Sequence, residues 1–206
     1  DFLDQTQILA RKEGFSVEIF AHVSGFDLPV LVRDTGNSAW LYVSSGTHGD
    51  EPAGPLAVKG VLERGGFSGD FNWLVFPVLN PTGLAAGTRE TASGVDLNRD
   101  AGYMWDAWGG SPGAFSQIES QALRECMYSN QFVIHTAYHS GTEYVSYPWS
   151  YRPDQTPEHA HIDFLAALYS SSSGYSGLTY GQGFNGMYAI NGSTKDCNYG
   201  IMGSVS

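Results

Sequence analysis

The sequence has little charge, few cysteines and no long apolar run. Charged residues make up 15% of the 206 positions and hydrophobic ones 42%, a balance that suits a packed core and excludes a disordered chain or a coiled coil. No run of about 18 apolar residues occurs, so we expect no membrane-spanning segment. The 10 basic residues against 21 acidic ones give a net charge of -11, which repels a phosphate backbone. We therefore expect neither a nucleic acid nor a membrane as partner.

Only two cysteines occur, Cys126 and Cys197. This number excludes the disulfide framework of a small secreted domain, although the two could still pair with each other. Residues 1–9 lack a basic region followed by an apolar core, so the sequence as it stands shows no export signal. A signal that had already been removed would leave the same sequence. On this basis we expect a cytoplasmic location.

Apolar patterning predicts an alternation of strands and helices. The 26 glycines and the aromatic content of 14% are typical of a loop-rich α/β or β-rich chain. The sequence favours one α/β domain over residues 1–206. The predicted strands are 16–22, 28–33, 39–45, 73–79, 132–138, 144–147 and 187–190, and the predicted helices are 55–62, 115–128 and 160–169.

An H-x-x-E pair, His48 and Glu51, follows the third predicted strand and precedes a helix. Ligands of α/β proteins bind at this place, beyond the carboxyl end of a strand. A tight turn can present an imidazole and a carboxylate to one point, which supplies two of the three protein ligands of a catalytic zinc. The pair also occurs by chance at solvated helix starts, so it needs support from elsewhere in the chain.

That support comes from a series of polar motifs between residues 80 and 148. In chain order they are Asn-Pro-Thr-Gly at 80–83, Arg89, Asp-Leu-Asn-Arg at 96–99, His139-Ser140 and Tyr147-Pro148. With the H-x-x-E turn they resemble the zinc carboxypeptidase family, the carboxypeptidase A-like metallopeptidases, and particularly its small bacterial branch. The resemblance runs from about residue 39 to the last residue. It implies an α/β fold with a mixed, mostly parallel central sheet flanked by helices.

The resemblance also implies a zinc site with one Zn²⁺. Its ligands are His48, Glu51 and His139, and Asp96 is the carboxylate that hydrogen-bonds a ligand histidine and fixes its tautomer. His139 is preferred to His135 because only His139 has the family's spacing to Tyr147-Pro148. His135 is then expected to be an ordinary strand residue.

The substrate-binding groups are carried over in the same way. Asn98 and Arg99 are expected to hold a terminal carboxylate, and Arg89 to polarise the scissile carbonyl and stabilise the oxyanion. Tyr188 takes the position of the mobile tyrosine that covers the substrate. Lys195 takes the position at the base of the specificity pocket, where a cation would pair with an acidic side chain.

The family's general base is a glutamate on a strand that follows the mobile tyrosine, and in this numbering it is expected just beyond Ser206. Residues 201–206 are predicted to begin that strand. We therefore expect the domain to be C-terminally incomplete, with the final strand and helix missing. Within the chain, Glu90 and Glu143 are the alternatives for the base, and both are expected to be structural.

The function implied is hydrolysis of a C-terminal peptide bond, with an acidic or diamino-diacid terminal residue. A first alternative is a zinc amidohydrolase of small N-acylated amino acids, similar to aspartoacylase and succinylglutamate desuccinylase. A second alternative is a zinc- or ligand-binding module without catalysis. The expected partner is accordingly a peptide or a small amide substrate.

Overall fold

The computed structural model describes residues 1–202. Its strands are Ser16–Val23 (β1), Phe26–Arg33 (β2), Trp40–Ser45 (β3), Asn72–Phe76 (β4), Phe132–Tyr138 (β5), Tyr144–Tyr147 (β6) and Thr179–Gln182 (β7). Its α-helices are Phe2–Lys12 (α1), Ala53–Glu63 (α2), Pro81–Ala86 (α3), Ile118–Ser129 (α4), His159–Ser172 (α5), Gly183–Gly186 (α6) and Thr194–Met202 (α7). Two short 3₁₀ helices cover Leu97–Arg99 and Ala107–Gly109.

The central sheet has five strands in the order β1-β2-β4-β3-β5. β2 pairs antiparallel with β1 and β4, whereas β3 pairs in parallel with β4 and β5. β6 and β7 form a separate parallel pair, so three of the five pairings among residues 1–202 are parallel. The expected α/β fold with a mixed central sheet and flanking helices is confirmed, and the central sheet has two parallel and two antiparallel pairings.

Both faces of the sheet are covered by apolar side chains. Successive residues of a strand point to opposite faces, so Tyr42 and Val43 of β3 enter different clusters. Tyr42 packs with Phe76 and Phe132 in the cluster that includes residues of α4. Val43 belongs to the cluster that includes residues of α1 and α2. Burial on both faces holds β3 firmly, and therefore also the loop that leaves its carboxyl end.

Two predictions of strand are wrong. Residues 187–190 are irregular, because the backbone N–H of Ile190 donates to the carbonyl of Ser150 instead of joining a ladder. Ile201 and Met202 end α7, in which Cys197 and Ile201 lie one helical turn apart and Ile201 packs on the core. Residues 203–206 and the glutamate expected past Ser206 lie outside the described residues.

Two open questions about the chain are answered for residues 1–202. Cys126 and Cys197 are both free thiols, so they do not pair with each other. None of the helices in this part of the chain has the length and apolarity that a membrane crossing requires.

Candidate metal centre

His48 and Glu51 lie in the loop at the carboxyl end of β3. The loop is tied to the chain that follows β4 by two backbone hydrogen bonds, from Leu79 N–H to the Ser45 carbonyl and from Asn80 N–H to the Gly46 carbonyl, both 2.8 Å. Gly46 has a φ of 63°, a conformation that glycine adopts at low cost. The turn that carries both side chains is thereby fixed to the rigid centre of the sheet.

His139 follows β5, the parallel neighbour of β3, so its side chain leaves the same edge of the sheet. Its Nδ1 lies 2.9 Å from Glu51 Oε2 and 3.2 Å from His48 Nδ1. His48 Nδ1 lies 2.8 Å from Glu51 Oε1. His139 is 91 positions from His48 and 88 positions from Glu51 in the sequence. The fold therefore brings together three side chains from two distant segments.

These three side chains fit a zinc ion. His48 Nε2 lies 3.1 Å from Asp96 Oδ1, so this nitrogen carries the proton and Nδ1 presents a lone pair toward the Glu51 carboxylate. Two acceptors at 2.8 Å must share either a proton or a metal ion. Zinc bonds of about 2.0–2.2 Å in a tetrahedron place ligand atoms about 3.3–3.6 Å apart, somewhat wider than the separations found here. His48, Glu51 and His139 would hold the ion after a small outward adjustment.

The charges of the cluster favour a cation. Burial would lower the pKa of His48, but its hydrogen bonds with Asp96 and Glu51 outweigh that effect and raise it. Burial would raise the pKa of Glu51, yet the hydrogen bonds with His139 and His48 lower it well below its usual range. The pKa of Asp96 is lowered likewise, because the contact with His48 and the charge of Arg89 outweigh burial. Both carboxylates are therefore ionised at neutral pH.

Asp96 connects the cluster to Arg89. Arg89 Nε donates to Asp96 Oδ2 at 2.9 Å, and a second guanidinium nitrogen lies 2.8 Å from the same oxygen. The third nitrogen lies 3.3 Å from His48 Nδ1 and 3.7 Å from Glu51 Oε1. The structure thus places Arg89 beside His48 and Glu51, and Asp96 holds it there.

Asn98 and Arg99 follow Asp96 in the first 3₁₀ helix. Asp96 caps this helix by accepting from Asn98 N–H, and Asn98 Oδ1 accepts from the backbone N–H and the hydroxyl of Thr194. Arg99 is only 5% exposed, and its Nε has no hydrogen-bond partner in the described part of the chain. Because Arg99 also lines a cavity, its guanidinium could bind an anion such as a carboxylate there.

A cavity of about 530 Å³ opens at this point. Arg89, Arg99 and the exposed Tyr188 line it. Trp108 also lines this cavity, and it was not among the site residues predicted from the sequence. A tryptophan directly before two glycines in a long loop is the one available signal. The remaining lining residues are Glu90, Gly94, Asp96, Gly109 and Gly110.

Lys195 lies at the start of α7, and its Nζ donates to Ser146 Oγ. Burial lowers the pKa of Lys195 to about 8, with Asp196 opposing that shift and Arg99 adding to it. Among residues 1–202, no carboxylate oxygen lies within 4.0 Å of this ammonium. The sequence did not predict its neighbours Ser146 and Ser150, since both depend on how β6 and the following loop pack against α7.

The other residues considered from the sequence lie apart from the cluster or at its margin. His135 packs against the Tyr42 ring at 4.8 Å, and its Nε2 accepts from Asn198 Nδ2 at 2.6 Å. Burial lowers the pKa of His135 to about 3, so it is neutral at physiological pH. Glu90 lines the cavity, and Glu143 is exposed.

The chain is similar to known proteins in sequence and in fold. The family model described as zinc carboxypeptidase matches residues 66–205. The chain is 25% identical to zinc carboxypeptidase A 1 of Anopheles gambiae, over 78% of this chain and 46% of that protein. It is 26% identical to carboxypeptidase B of Astacus astacus, over 84% of this chain and 66% of that protein. The chain thus spans about half to two thirds of the length of these curated relatives.

The fold is similar to that of bovine thrombin-activatable fibrinolysis inhibitor, solved in complex with tick carboxypeptidase inhibitor. The TM-score is 0.81, the identity 19%, and the match covers 97% of this chain and 80% of that one. At this identity the likeness concerns the fold alone.

Proposed function

Because the chain belongs to the zinc carboxypeptidase family, we propose that it is a metallocarboxypeptidase that hydrolyses the C-terminal peptide bond of its substrate. The observation that carries the proposal is the convergence of His48, Glu51 and His139 within 2.8–3.2 Å of one another. These residues are proposed as the ligands of the family's metal, Zn²⁺. When bound there, zinc supplies a Lewis acid and lowers the pKa of a water molecule toward about 7.

Asp96 has two tasks in this proposal. It accepts the Nε2 proton of His48, which keeps Nδ1 free as a ligand atom, and it holds Arg89 through its second oxygen. Arg89 can then donate to the scissile carbonyl oxygen as negative charge develops on it. Arg89 is therefore proposed as the residue that stabilises the oxyanion.

Asn98, Arg99 and Tyr188 are proposed to bind the end of the substrate. Arg99 lines the cavity, which supports recognition of a free carboxylate by its guanidinium, and the partners of Asn98 Oδ1 leave the Asn98 amide nitrogen available as a donor. Tyr188 is 53% exposed and lines the same cavity, which allows it to move toward a bound peptide.

Lys195 is proposed to select an acidic or diamino-diacid terminal residue. A Cβ added at Gly183 would lie 2.5 Å from Lys195 Nζ, 2.3 Å from Ser150 Oγ and 3.0 Å from Ser146 Oγ, so these three polar groups crowd against the backbone of Gly183 and only a glycine fits there. Ser150 Oγ is buried and has no hydrogen-bond partner in residues 1–202. A side-chain carboxylate would satisfy this hydroxyl and the unpaired ammonium together.

The test compares two kinds of substrate with the intact zinc-loaded protein. Peptides ending in glutamate or leucine are set against N-acetyl and N-succinyl amino acids, and each turnover rate is measured before and after zinc chelation. We expect the glutamate-ended peptide to be hydrolysed fastest, and only with zinc. Preferential hydrolysis of the N-acyl amino acids would favour the amidohydrolase, whereas zinc and peptide binding without turnover would favour a binding module.

A further inference from the structure

Trp108 is a large apolar side chain left exposed inside the cavity. Its indole is 72% exposed, and it shares the cavity with Arg89, Arg99 and Tyr188. Most ligand sites are concave and lined by aromatic side chains together with a few polar groups. An exposed indole in such a place indicates contact with a ligand.

The turn that carries Trp108 is held at both ends. Asp106 caps it by accepting from Trp108 N–H at 2.9 Å, and Asp106 Oδ2 accepts from Asn191 Nδ2 at 2.8 Å. At the other end the carbonyl of Gly109 accepts from Asp96 N–H at 3.1 Å. These hydrogen bonds hold the indole between the candidate metal centre and the segment that follows Tyr188, where it forms one wall of the cavity.

One face of the indole is covered by Arg99. The Arg99 guanidinium carbon lies 5.3 Å from the centre of the ring, a distance typical of a cation–π contact. Gly109 permits this approach, because a Cβ at that position would lie 2.0 Å from Arg99 Cβ. Within the described residues no other aromatic ring packs on Trp108. The rest of the ring therefore faces the cavity beside the group proposed to hold the substrate's terminal carboxylate.

We propose that Trp108 determines specificity for the penultimate residue of the substrate, by contacting its side chain and favouring an aromatic or large aliphatic one. This inference rests on the proposed carboxypeptidase function. In that function, the side chain of the substrate's terminal residue binds near Lys195 and Ser146, neither of which lines this cavity. The space between Trp108 and Tyr188 is left for the preceding residue. Burial of a large apolar side chain there is expected to favour it over glycine by about tenfold to a hundredfold.

The first experiment measures kcat/KM of the intact zinc-loaded protein for acetyl-Phe-Glu and acetyl-Gly-Glu. We expect the unaltered protein to prefer the phenylalanine peptide by at least about tenfold. Trp108→Ala should reduce the ratio of the two values to less than about threefold, and Trp108→Phe should retain most of it. Tyr128→Ala is the matched control, because Tyr128 is an exposed aromatic residue on α4 outside the cavity, and it should leave the ratio unchanged.

A second experiment measures the affinities of ketomethylene analogues of both peptides by isothermal titration calorimetry, which requires no turnover. If no peptide is cleaved, the proposed function fails, and the affinity ratio in Trp108→Ala still decides the role of Trp108. A ratio that collapses in this variant supports the inference. Equal losses for both peptides, in turnover or in binding, would show that Trp108 only supports Arg99 and would overturn it.

Discussion

Gly49 and Gly83 meet backbone to backbone beside the candidate metal centre. A Cβ added at Gly49 would lie 1.8 Å from the carbonyl carbon of Gly83, a distance that no packing adjustment of side chains could relieve. Gly49 stands between His48 and Glu51, and Gly83 belongs to α3 in the Asn-Pro-Thr-Gly motif. Two motifs that are distant in sequence are therefore joined by a contact that requires the absence of a side chain.

Gly49→Ala should separate these two segments. We expect a loss of about 1–3 kcal/mol or more in the free energy of unfolding, together with weaker zinc binding because His48 and Glu51 are displaced. Urea unfolding and competition with a chromophoric chelator measure the two effects. Gly113→Ala is the control, since nothing lies within 4 Å of its added Cβ, and it should change stability by less than about 0.5 kcal/mol. Equal stability of the two variants would contradict the packing described here.

Asp96→Asn tests the carboxylate behind His48. The substitution keeps the size of the side chain but removes the charge that fixes the imidazole, so zinc affinity should fall by about 10- to 100-fold. Asp50→Asn removes a neighbouring exposed negative charge and serves as the control. A similar loss of affinity in both variants would mean that net charge, and not the hydrogen bond to His48, governs metal binding.

Removal of zinc should destabilise the folded protein. A ligand at 100 times its Kd adds about 2.7 kcal/mol to the free energy of unfolding, so chelation should lower the Tm measurably. His139→Ala should abolish this response to zinc, whereas His135→Gln should retain it because His135 contacts Tyr42 and Asn198 instead. A zinc-dependent Tm that needs His135 but not His139 would refute the proposed ligand set.

Arg89→Ala should slow the reaction more than it weakens substrate binding. Loss of one oxyanion donor lowers kcat by about 100- to 1,000-fold, with a smaller effect on KM. Zinc content should be measured in parallel, because Arg89 also contacts Asp96. A variant that retains zinc and full kcat would exclude Arg89 from this role.

The preference for a glutamate end over a glutamine end should depend on pH through Lys195. This amine has a pKa of about 8, so it is protonated below that pH and becomes neutral above it. The ratio of kcat/KM for the two peptides should therefore be high at pH 6–7 and fall as the pH rises through about 8. Lys195→Met should give a low ratio that does not change with pH. A ratio unaffected by this substitution would remove Lys195 from substrate selection.

The sequence allowed prediction of the elements whose apolar pattern follows one periodicity. β1 to β6 and helices α2, α4 and α5 lie at or near their predicted positions, because burial on one or two faces imposes a periodic pattern of apolar residues on the sequence. Strand β7 and the helices α1, α3, α6 and α7 were not predicted. The last of these carries Cys197 and Ile201 on one face, a pattern too short to distinguish from the start of a strand.

The site residues that could be predicted are those that belong to a recognisable sequence motif. The proximity of His48, Glu51 and His139 follows from the parallel arrangement of β3 and β5, whose carboxyl ends meet at one edge. Trp108, Ser146 and Ser150 were missed because each acquires its place through contacts between distant segments. The glycine at 183 is a further case, since only the folded chain shows what lies around it.

The cations in and beside the cavity, Arg89, Arg99 and Lys195, belong to a molecule with a net charge of -11. An acidic peptide is thus repelled at long range and attracted only on contact. Dissolved ions weaken forces beyond about 8 Å at physiological ionic strength, while enclosed ion pairs are shielded far less. Moderate salt should for this reason hasten the diffusional encounter with an acidic peptide, the reverse of what electrostatic steering by an oppositely charged surface produces.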